Sequence, residues 1–391
     1  MASPQSRRPD TLIQHFAEHE KTQNAVVAPL FQNSTFVYPS FEVFWGAWSA
    51  EAGGPPYIYS RMANPSLDTL ERKIAAMEGT ERAKMLGSGM AALTAAVLSC
   101  VSSGGHVVCV DTVYGSSRHL FDRYLTRYGV ETTYVDGRTA ESVLDAVRPE
   151  TQLIYLESPS SLVFYLQDLE AVCRAAREKG IPTMIDNTYA TPLNQNPAAF
   201  GVDIVVHSAT KYINGHSDLT AGVVCASASR IDALTKAEVN LMGSILSPFA
   251  GWLVLRGLRT LPLRLKRVES TANIVAEWLS RHPRVERVMH LGLPSYPQRE
   301  LFEKQMRGAS GVFSFVPKNQ DRAYVARFVD ALRLFGLGVS WGGHESLVIS
   351  MPIQPMGWPQ PTYIVRLSCG LEDPQDLVDD LAQAFAVADA G

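Results

Sequence analysis

The chain has 391 residues, 46% hydrophobic and 9% aromatic, with 35 basic and 39 acidic side chains and a formal charge of -4. Such a composition marks a well-packed globular protein, excludes a disordered or fibrous one, and argues against a general nucleic-acid-binding surface. This length exceeds the size at which one core stops growing, so two domains are expected.

Residues 1 to about 60 carry weak periodicity and many turn formers, among them Pro29, Asn33, Pro39, Gly53, Gly54, Pro55 and Pro56. A segment of this kind, able to bury little alone, is expected to wrap a surface or a neighbour, with a loosely attached tail as the alternative. Ser3 to Phe16 holds charges where a secretory signal needs an apolar core, and the longest strongly apolar run, Gly89 to Val101, is too short to span a bilayer. A cytoplasmic location away from membranes is therefore the default.

Regular patterning begins at Asn64-Pro65, a helix start, after which Leu67, Leu70, Ile74 and Met77 recur at helical spacing until Gly79. A second helix is expected from Gly89 through Leu98. Short apolar runs follow at 106–111, 132–135, 153–156, 183–186, 202–207 and 222–226, with helical patterns between several of them, the clearest being Leu166, Leu169, Val172 and Ala176 before Gly180. Continuously apolar strands that alternate with helices imply a mainly parallel sheet covered on both faces. Beyond it, 249–268 reads as helix, 312–316 as an alternating strand, 324–335 as helix, 363–368 as strand and the chain from Pro374 as a terminal helix. The division expected is an N-terminal arm over 1–60, a large unit over 61–255 and a smaller α/β unit over 256–391.

In a parallel sheet the loops after the strand carboxyl ends gather the ligand. Asp111, Glu157, Asp186 and the run Ser208 to Lys211 all fall at such ends. Lys211 closes an apolar strand with Ser208 and Thr210 beside it, and Asp186 ends a strand 25 residues earlier. An amine, hydroxyls and a lone carboxylate are what an aldehyde cofactor with a phosphate and a pyridine nitrogen needs, and pyridoxal 5'-phosphate is the candidate. A desolvated amine loses its proton more readily and forms a Schiff base. A buried carboxylate is costly unless paired, as a pyridinium would pair it; a strand-end cap is the competing account for Asp186.

Gly87-Ser-Gly-Met90 precedes an Ala-rich helix whose N-terminal amides can meet an anion, a signal that gains force only with Ser208 and Thr210. Tyr59 and Arg61 can reach a phosphate, the arginine through forked donors. Tyr114 can lie against the cofactor ring and move protons, although an ordinary core or surface aromatic is the better account of an isolated tyrosine there. Arg366 interrupts the apolar run 364–367, where either an amino-acid carboxylate or a structural salt bridge would satisfy it. Cys100, Cys109, Cys173, Cys225 and Cys369 are odd in number, widely spaced and in apolar stretches, which reads as free core thiols; the nine histidines lack metal-ligand spacing.

The run Ser208-Ala-Thr-Lys211-Tyr-Ile-Asn-Gly-His-Ser-Asp218 resembles the central motif of the Cys/Met-metabolism family of fold-type I pyridoxal-phosphate enzymes, and the resemblance covers nearly the whole chain after about residue 20. It implies the aspartate-aminotransferase-like fold: a mainly parallel seven-stranded sheet in the large domain plus a smaller C-terminal α/β domain. It implies Lys211 as the Schiff-base lysine, Asp186 as partner of the pyridine nitrogen, Gly89 and Met90 with Ser208 and Thr210 around the phosphate, and Tyr114 stacked on the ring. Ser340 and Arg366 then match the substrate-carboxylate site, with Trp341 beside them. Tyr59 and Arg61 fit a Tyr-x-Arg pair that reaches the phosphate of the neighbouring subunit, so a homo-oligomer, a tetramer built from dimers, is implied.

The run Ser340-Trp-Gly-Gly-His-Glu-Ser346 resembles the bacterial cystathionine β-lyases, as does Glu157-Ser-Pro-Ser-Ser161. Val339 stands where cystathionine-processing γ-enzymes often carry an acid, and Ser116 where methionine γ-lyases typically place a reactive cysteine. Tyr59-Ser-Arg61-Met-Ala-Asn64-Pro65 resembles the γ-acting members instead. The expected activity is β-elimination from cystathionine or related cysteine conjugates, giving pyruvate, ammonia and a thiol such as homocysteine. The alternative is γ-elimination or γ-replacement on sulfur- or oxygen-substituted homoserine skeletons, including methionine and canavanine. A cofactor-free structural or regulatory relative and an aminotransferase are the remote alternatives.

Overall fold

A computed structural model describes residues 8–18, 22–49 and 57–390; Gly53, Gly54, Pro55 and Pro56, read above as turn formers, lie outside the described residues. Seven strands form the larger sheet: β1 (Arg82–Leu86), β2 (His106–Val110), β3 (Glu131–Val135), β4 (Thr151–Glu157), β5 (Thr183–Asp186), β6 (Ile204–His207) and β7 (Gly222–Ala226). Their order is β1-β7-β6-β5-β4-β2-β3. The five strands from β6 to β3 run parallel, and β7 pairs antiparallel with both β6 and β1. Every residue of β2, β6 and β7 is buried, as expected for strands covered on both faces.

The helix starts follow from local chemistry. Asn64 accepts the Ser66 N–H at 2.9 Å, Pro65 occupies the first turn, and Gly79 ends the helix Pro65–Glu78 in the left-handed conformation at φ 75°. Ser88 caps Gly89–Leu98 by accepting the Ala91 N–H at 3.0 Å. Asp168 does the same for Leu169–Glu178, whose Leu169, Val172, Cys173 and Ala176 are buried as the spacing predicts.

A second sheet follows, made of β8 (Val285–Met289), β9 (Val312–Pro317), β10 (Gly336–Leu337), β11 (Leu347–Ile353) and β12 (Thr362–Ser368), in the order β10-β11-β12-β9-β8. Three sequence readings change here, the first being the helix expected over 324–335, which is Arg322–Ala331 and ends where Leu332 turns to extended backbone. The stretch 249–268 is not one helix: Pro248–Leu258 and Leu261–Ser280 are separate, broken around Arg259 and Thr260 ahead of Pro262, which cannot continue a helix from within. The strand 312–316 is not half-exposed, because β9 lies between β12 and β8 with all six residues buried. Strands β1, β8 and β11 were not legible as apolar runs: β1 carries Arg82 and Lys84, β8 carries Glu286 and Arg287, and β11 has exposed positions toward its end. No helix among the described residues is long and apolar enough to cross a membrane.

Candidate active site

The carboxyl ends of the parallel strands open onto a cavity of about 940 Å³, lined on one side by Gly89, Met90, Tyr114, Asp186, Ser208 and Lys211 and on the other by Trp341 and Arg366. The first group comes from the larger sheet and its loops, the second from the segment before β11 and from β12. Both sheets therefore contribute walls.

Lys211 stands in the turn after β6, and other groups hold that turn. Arg264, from the helix Leu261–Ser280, donates to the carbonyls of Tyr212 at 2.7 Å and Gly257 at 2.8 Å, while the Tyr212 hydroxyl accepts the Gly311 N–H at 2.9 Å. The Lys211 ammonium donates to Ser340 Oγ at 2.7 Å and lies 5.4 Å from the centre of the Trp341 ring. Burial, reinforced by the Arg366 guanidinium, brings its pKa down to about 8. The Ser340-Trp341 turn sits tight on this lysine: Gly342 has φ 84°, and a Cβ there would lie 2.9 Å from Tyr212 N.

Asp186 faces Glu157 across the β4–β5 ladder. Its Oδ1 accepts both the backbone N–H and the hydroxyl of Thr188, and the Thr188 hydroxyl oxygen accepts the Ser208 N–H at 2.8 Å. Removal from water raises the Asp186 pKa. Glu157 accepts the Tyr114 N–H at 2.8 Å, and burial together with the Asp186 charge pushes its carboxyl up to about 8. Tyr114 itself is half-exposed at the cavity.

The residues fit a phosphate-bearing, electron-accepting heterocycle. Gly89 opens a ten-residue helix toward the cavity, and a Cβ there would stand 2.6 Å from Ser208 Cβ, so the backbone is bare where an anion would meet the first amides. Among the described residues, no arginine or lysine forms a salt bridge with the partly buried Asp186 carboxylate, and Arg366 keeps a buried Nε without a partner while its Nη2 donates to the carbonyls of Val339 and Ser340 at 3.2 and 2.9 Å. Thr210 also lines the cavity, but its hydroxyl already donates to the Ala221 carbonyl at 3.1 Å and accepts the Ala221 N–H at 2.9 Å.

Tyr59 and Arg61 do not line this cavity. Arg61 donates to the Asn240 carbonyl at 2.9 Å, with its guanidinium 5.6 Å from the centre of the Tyr59 ring.

A family model described as Cys/Met metabolism PLP-dependent enzyme matches residues 10–386. The chain belongs to this family. It is 39% identical over 378 residues to the L-methionine gamma-lyase of Porphyromonas gingivalis, covering 94% of each chain. It is 38% identical over 367 residues to a putative cystathionine beta-lyase of Rhizobium johnstonii, covering 92% of each, and 36% identical over 376 residues to the cystathionine gamma-lyase of Bacillus subtilis, covering 94% of this chain and 95% of the relative. The protein is thus a pyridoxal 5'-phosphate-dependent lyase of the Cys/Met metabolism family, with an α/β fold of the expected kind. Sequence reasoning placed Glu157 at a strand end without giving it a place in the site, and it passed over Thr188; both stand beside Asp186, Glu157 across the ladder and Thr188 two residues on, which is the signal that locates them.

Proposed function

We propose that this enzyme is a carbon–sulfur lyase that carries out β-elimination on cystathionine or related cysteine thioethers. The observation that carries this reading is the confinement of the Lys211 amine between Ser340 Oγ at 2.7 Å and the Trp341 ring. β-Elimination needs one base at the substrate Cα. A γ-leaving group requires further proton transfers at Cβ, for which the base must swing along the substrate, and a tethered lysine favours the shorter route.

In this reading Asp186 holds the cofactor ring nitrogen, and Gly89, Met90, Ser208 and Thr210 surround its phosphate. When bound, the cofactor supplies an electron-accepting ring that stabilises negative charge at the substrate Cα. Arg366, with Ser340, binds the substrate carboxylate and fixes which Cα bond faces Lys211. Lys211 Nζ, with a pKa near 8, takes the Cα proton and can return it. Tyr114 would lie over the ring and supply a proton to the departing sulfur from its phenol. The unit over 61–255 would hold the cofactor and that over 256–391 the substrate carboxylate.

The pair Tyr59 and Arg61 is read as serving a neighbouring subunit in a homotetramer built from dimers. The helix Phe41–Trp48 supports this, since none of its residues is buried and Phe41, Trp45 and Trp48 are exposed.

A second reading, γ-elimination from a methionine-like or O-substituted homoserine substrate, draws support from the far cavity wall. Val339, Ile349, Met351 and Ile353 line it, an apolar surface suited to a short alkyl thioether rather than to a second amino-acid head group. Incubation of the holoenzyme with cystathionine, cystine, methionine, O-substituted homoserines and canavanine, with identification of the keto acid, separates the two. Pyruvate is expected as the main product; 2-oxobutanoate in its place would overturn the favoured reading.

A further inference from the structure

Behind Asp186 lies a second ionisable pair that takes no part in the cavity wall. Glu78, the last residue of the helix Pro65–Glu78, and His207, the last residue of β6, have fully buried side chains, with His207 Nε2 and Glu78 Oε1 2.5 Å apart. The same Glu78 oxygen accepts from Asn187 Nδ2 at 3.1 Å, and Asn187 is the residue next to Asp186. Gln195 closes the cluster, its Nε2 donating to Asn187 Oδ1 at 2.9 Å and to the Ser158 carbonyl at 2.7 Å. Among the described residues, the other Glu78 oxygen and His207 Nδ1 have no hydrogen-bond partner.

Two buried groups of opposite tendency, one short bond apart, are stable as a net-neutral pair sharing a proton, because a lone buried carboxylate would be far costlier. His207 follows Val206, the residue paired with Asp186 across the β5–β6 ladder, and it acts on Asp186 in the direction that favours the carboxylate. Other charges reach this neighbourhood from elements packed against it. Glu157 and Lys211 face Asp186 from the cavity side, and the Arg307 guanidinium and the Cys225 thiol lie within electrostatic reach of Glu78.

We propose that Glu78 and His207 are positioning residues for the cofactor: a buried imidazolium–carboxylate pair whose positive end keeps Asp186 ionised, and whose bond to Asn187 fixes the strand end that carries it. This rests on the reading of Asp186 as partner of the ring nitrogen. Glu78 anchors the cation, the cation holds the Asp186 charge, and that charge retains a proton on the ring. Neither residue touches substrate or cofactor.

The test uses holoenzyme reconstituted with pyridoxal phosphate isotope-labelled at the ring nitrogen and read by NMR, with cofactor affinity measured alongside. His207→Gln and Glu78→Gln are each expected to move the ring-nitrogen signal toward its unprotonated position and to loosen cofactor binding about tenfold, the loss typical when an outer partner of a ligand-holding group is removed. The double variant is expected to do no more than either single one, since the pair acts as a unit. An unchanged ring-nitrogen signal in both single variants, with native circular dichroism, would overturn the proposal. Asp186→Asn separates the two levels: if it too leaves the signal unchanged, the Asp186 reading falls and takes this one with it, whereas a signal moved by Asp186→Asn alone refutes only the role of the pair. Should the variants fail to fold, the wild-type holoenzyme still decides. Its cofactor ring nitrogen is expected to report the protonated position, and an unprotonated one there refutes the proposal together with the Asp186 reading.

Discussion

Asp186 and Glu157 occupy facing positions at the carboxyl ends of adjacent parallel strands, so two carboxyl groups, Glu157 buried and Asp186 partly so, share one edge of the cavity. Burial disfavours the charged form of each and displaces both upward, Glu157, which also meets the Asp186 charge, to about 8. The two differ in what surrounds them. Asp186 has Thr188, His207 and Lys211 to favour its charge, whereas Glu157 has mainly hydroxyl and backbone donors. The asymmetry assigns the charge to Asp186 and the proton to Glu157, which leaves one anion where a pyridinium can meet it.

The pH dependence of stability tests this assignment. A carboxyl raised from 4.5 to about 8 in the folded state binds its proton there while the unfolded chain has lost it. Its favourable contribution is complete below 4.5 and is lost as pH rises toward 8. Cofactor-free Glu157→Gln is therefore expected to lose less melting temperature over that interval than the cofactor-free wild type. Calorimetry across the interval checks it, and parallel curves for the two proteins would reject a protonated Glu157.

Lys211→Ala is expected to lower turnover by on the order of 10³-fold or more, the scale of a lost general base, while leaving circular dichroism unchanged. Stability should hold or rise near neutral pH, because a folded-state pKa of about 8 against 10.5 means that burial of the charged amine opposes folding in full below 8 and is relieved only as pH rises from there to 10.5. Steady-state kinetics and thermal melts on the same preparation check both halves.

The helix Pro65–Glu78 was legible to the residue because its signals are local: an asparagine cap, a proline in the first turn and a glycine at the end. Strands β5 and β7 were legible because burial, complete in β7 and short only of Asp186 in β5, leaves apolar runs. Strand β1 was not, since Lys84 is buried against Glu71, a pairing made in three dimensions that reads as polar in one. In the site, Lys211, Asp186 and Arg366 stood out as ionisable groups ending or interrupting apolar strands. Glu78 and His207 did not, because their partners lie 129 residues apart and only the packing of a helix end against a strand end joins them. The engagement of Thr210 by Ala221 was hidden in the same way, through a backbone contact 11 residues along the chain.

Gly342→Ala is expected to cost about 1–3 kcal/mol, the range for forcing added atoms into a packed site, because the new Cβ would stand 2.9 Å from Tyr212 N in a backbone with φ 84°. Relief requires the Ser340-Trp341 turn to back away from Lys211. Turnover should therefore fall together with the melting temperature. If the proposed confinement of Lys211 favours β-elimination, the share of 2-oxobutanoate formed from γ-substituted substrates should increase, which a keto-acid assay resolves.

Arg366→Lys separates charge from geometry at the proposed carboxylate site. The guanidinium spends Nη2 on the carbonyls of Val339 and Ser340 and keeps Nε free, so one side chain braces the turn that holds Ser340 and still offers donors to a ligand. Lysine has one nitrogen and cannot do both. Loss of a charged hydrogen bond, about 1.5–3 kcal/mol, corresponds to one to two orders of magnitude in kcat/KM, expected mainly as a raised KM. Burial lowers the arginine only to about 10, so it stays protonated through neutral pH and contributes no ionisation of its own there. A lysine in the same desolvated position starts from a lower value and meets Lys211 as a second amine, so it should lose its proton within the working range. The KM of the variant is therefore expected to climb with pH where that of the wild type is flat, a contrast that a pH series of steady-state measurements would reveal.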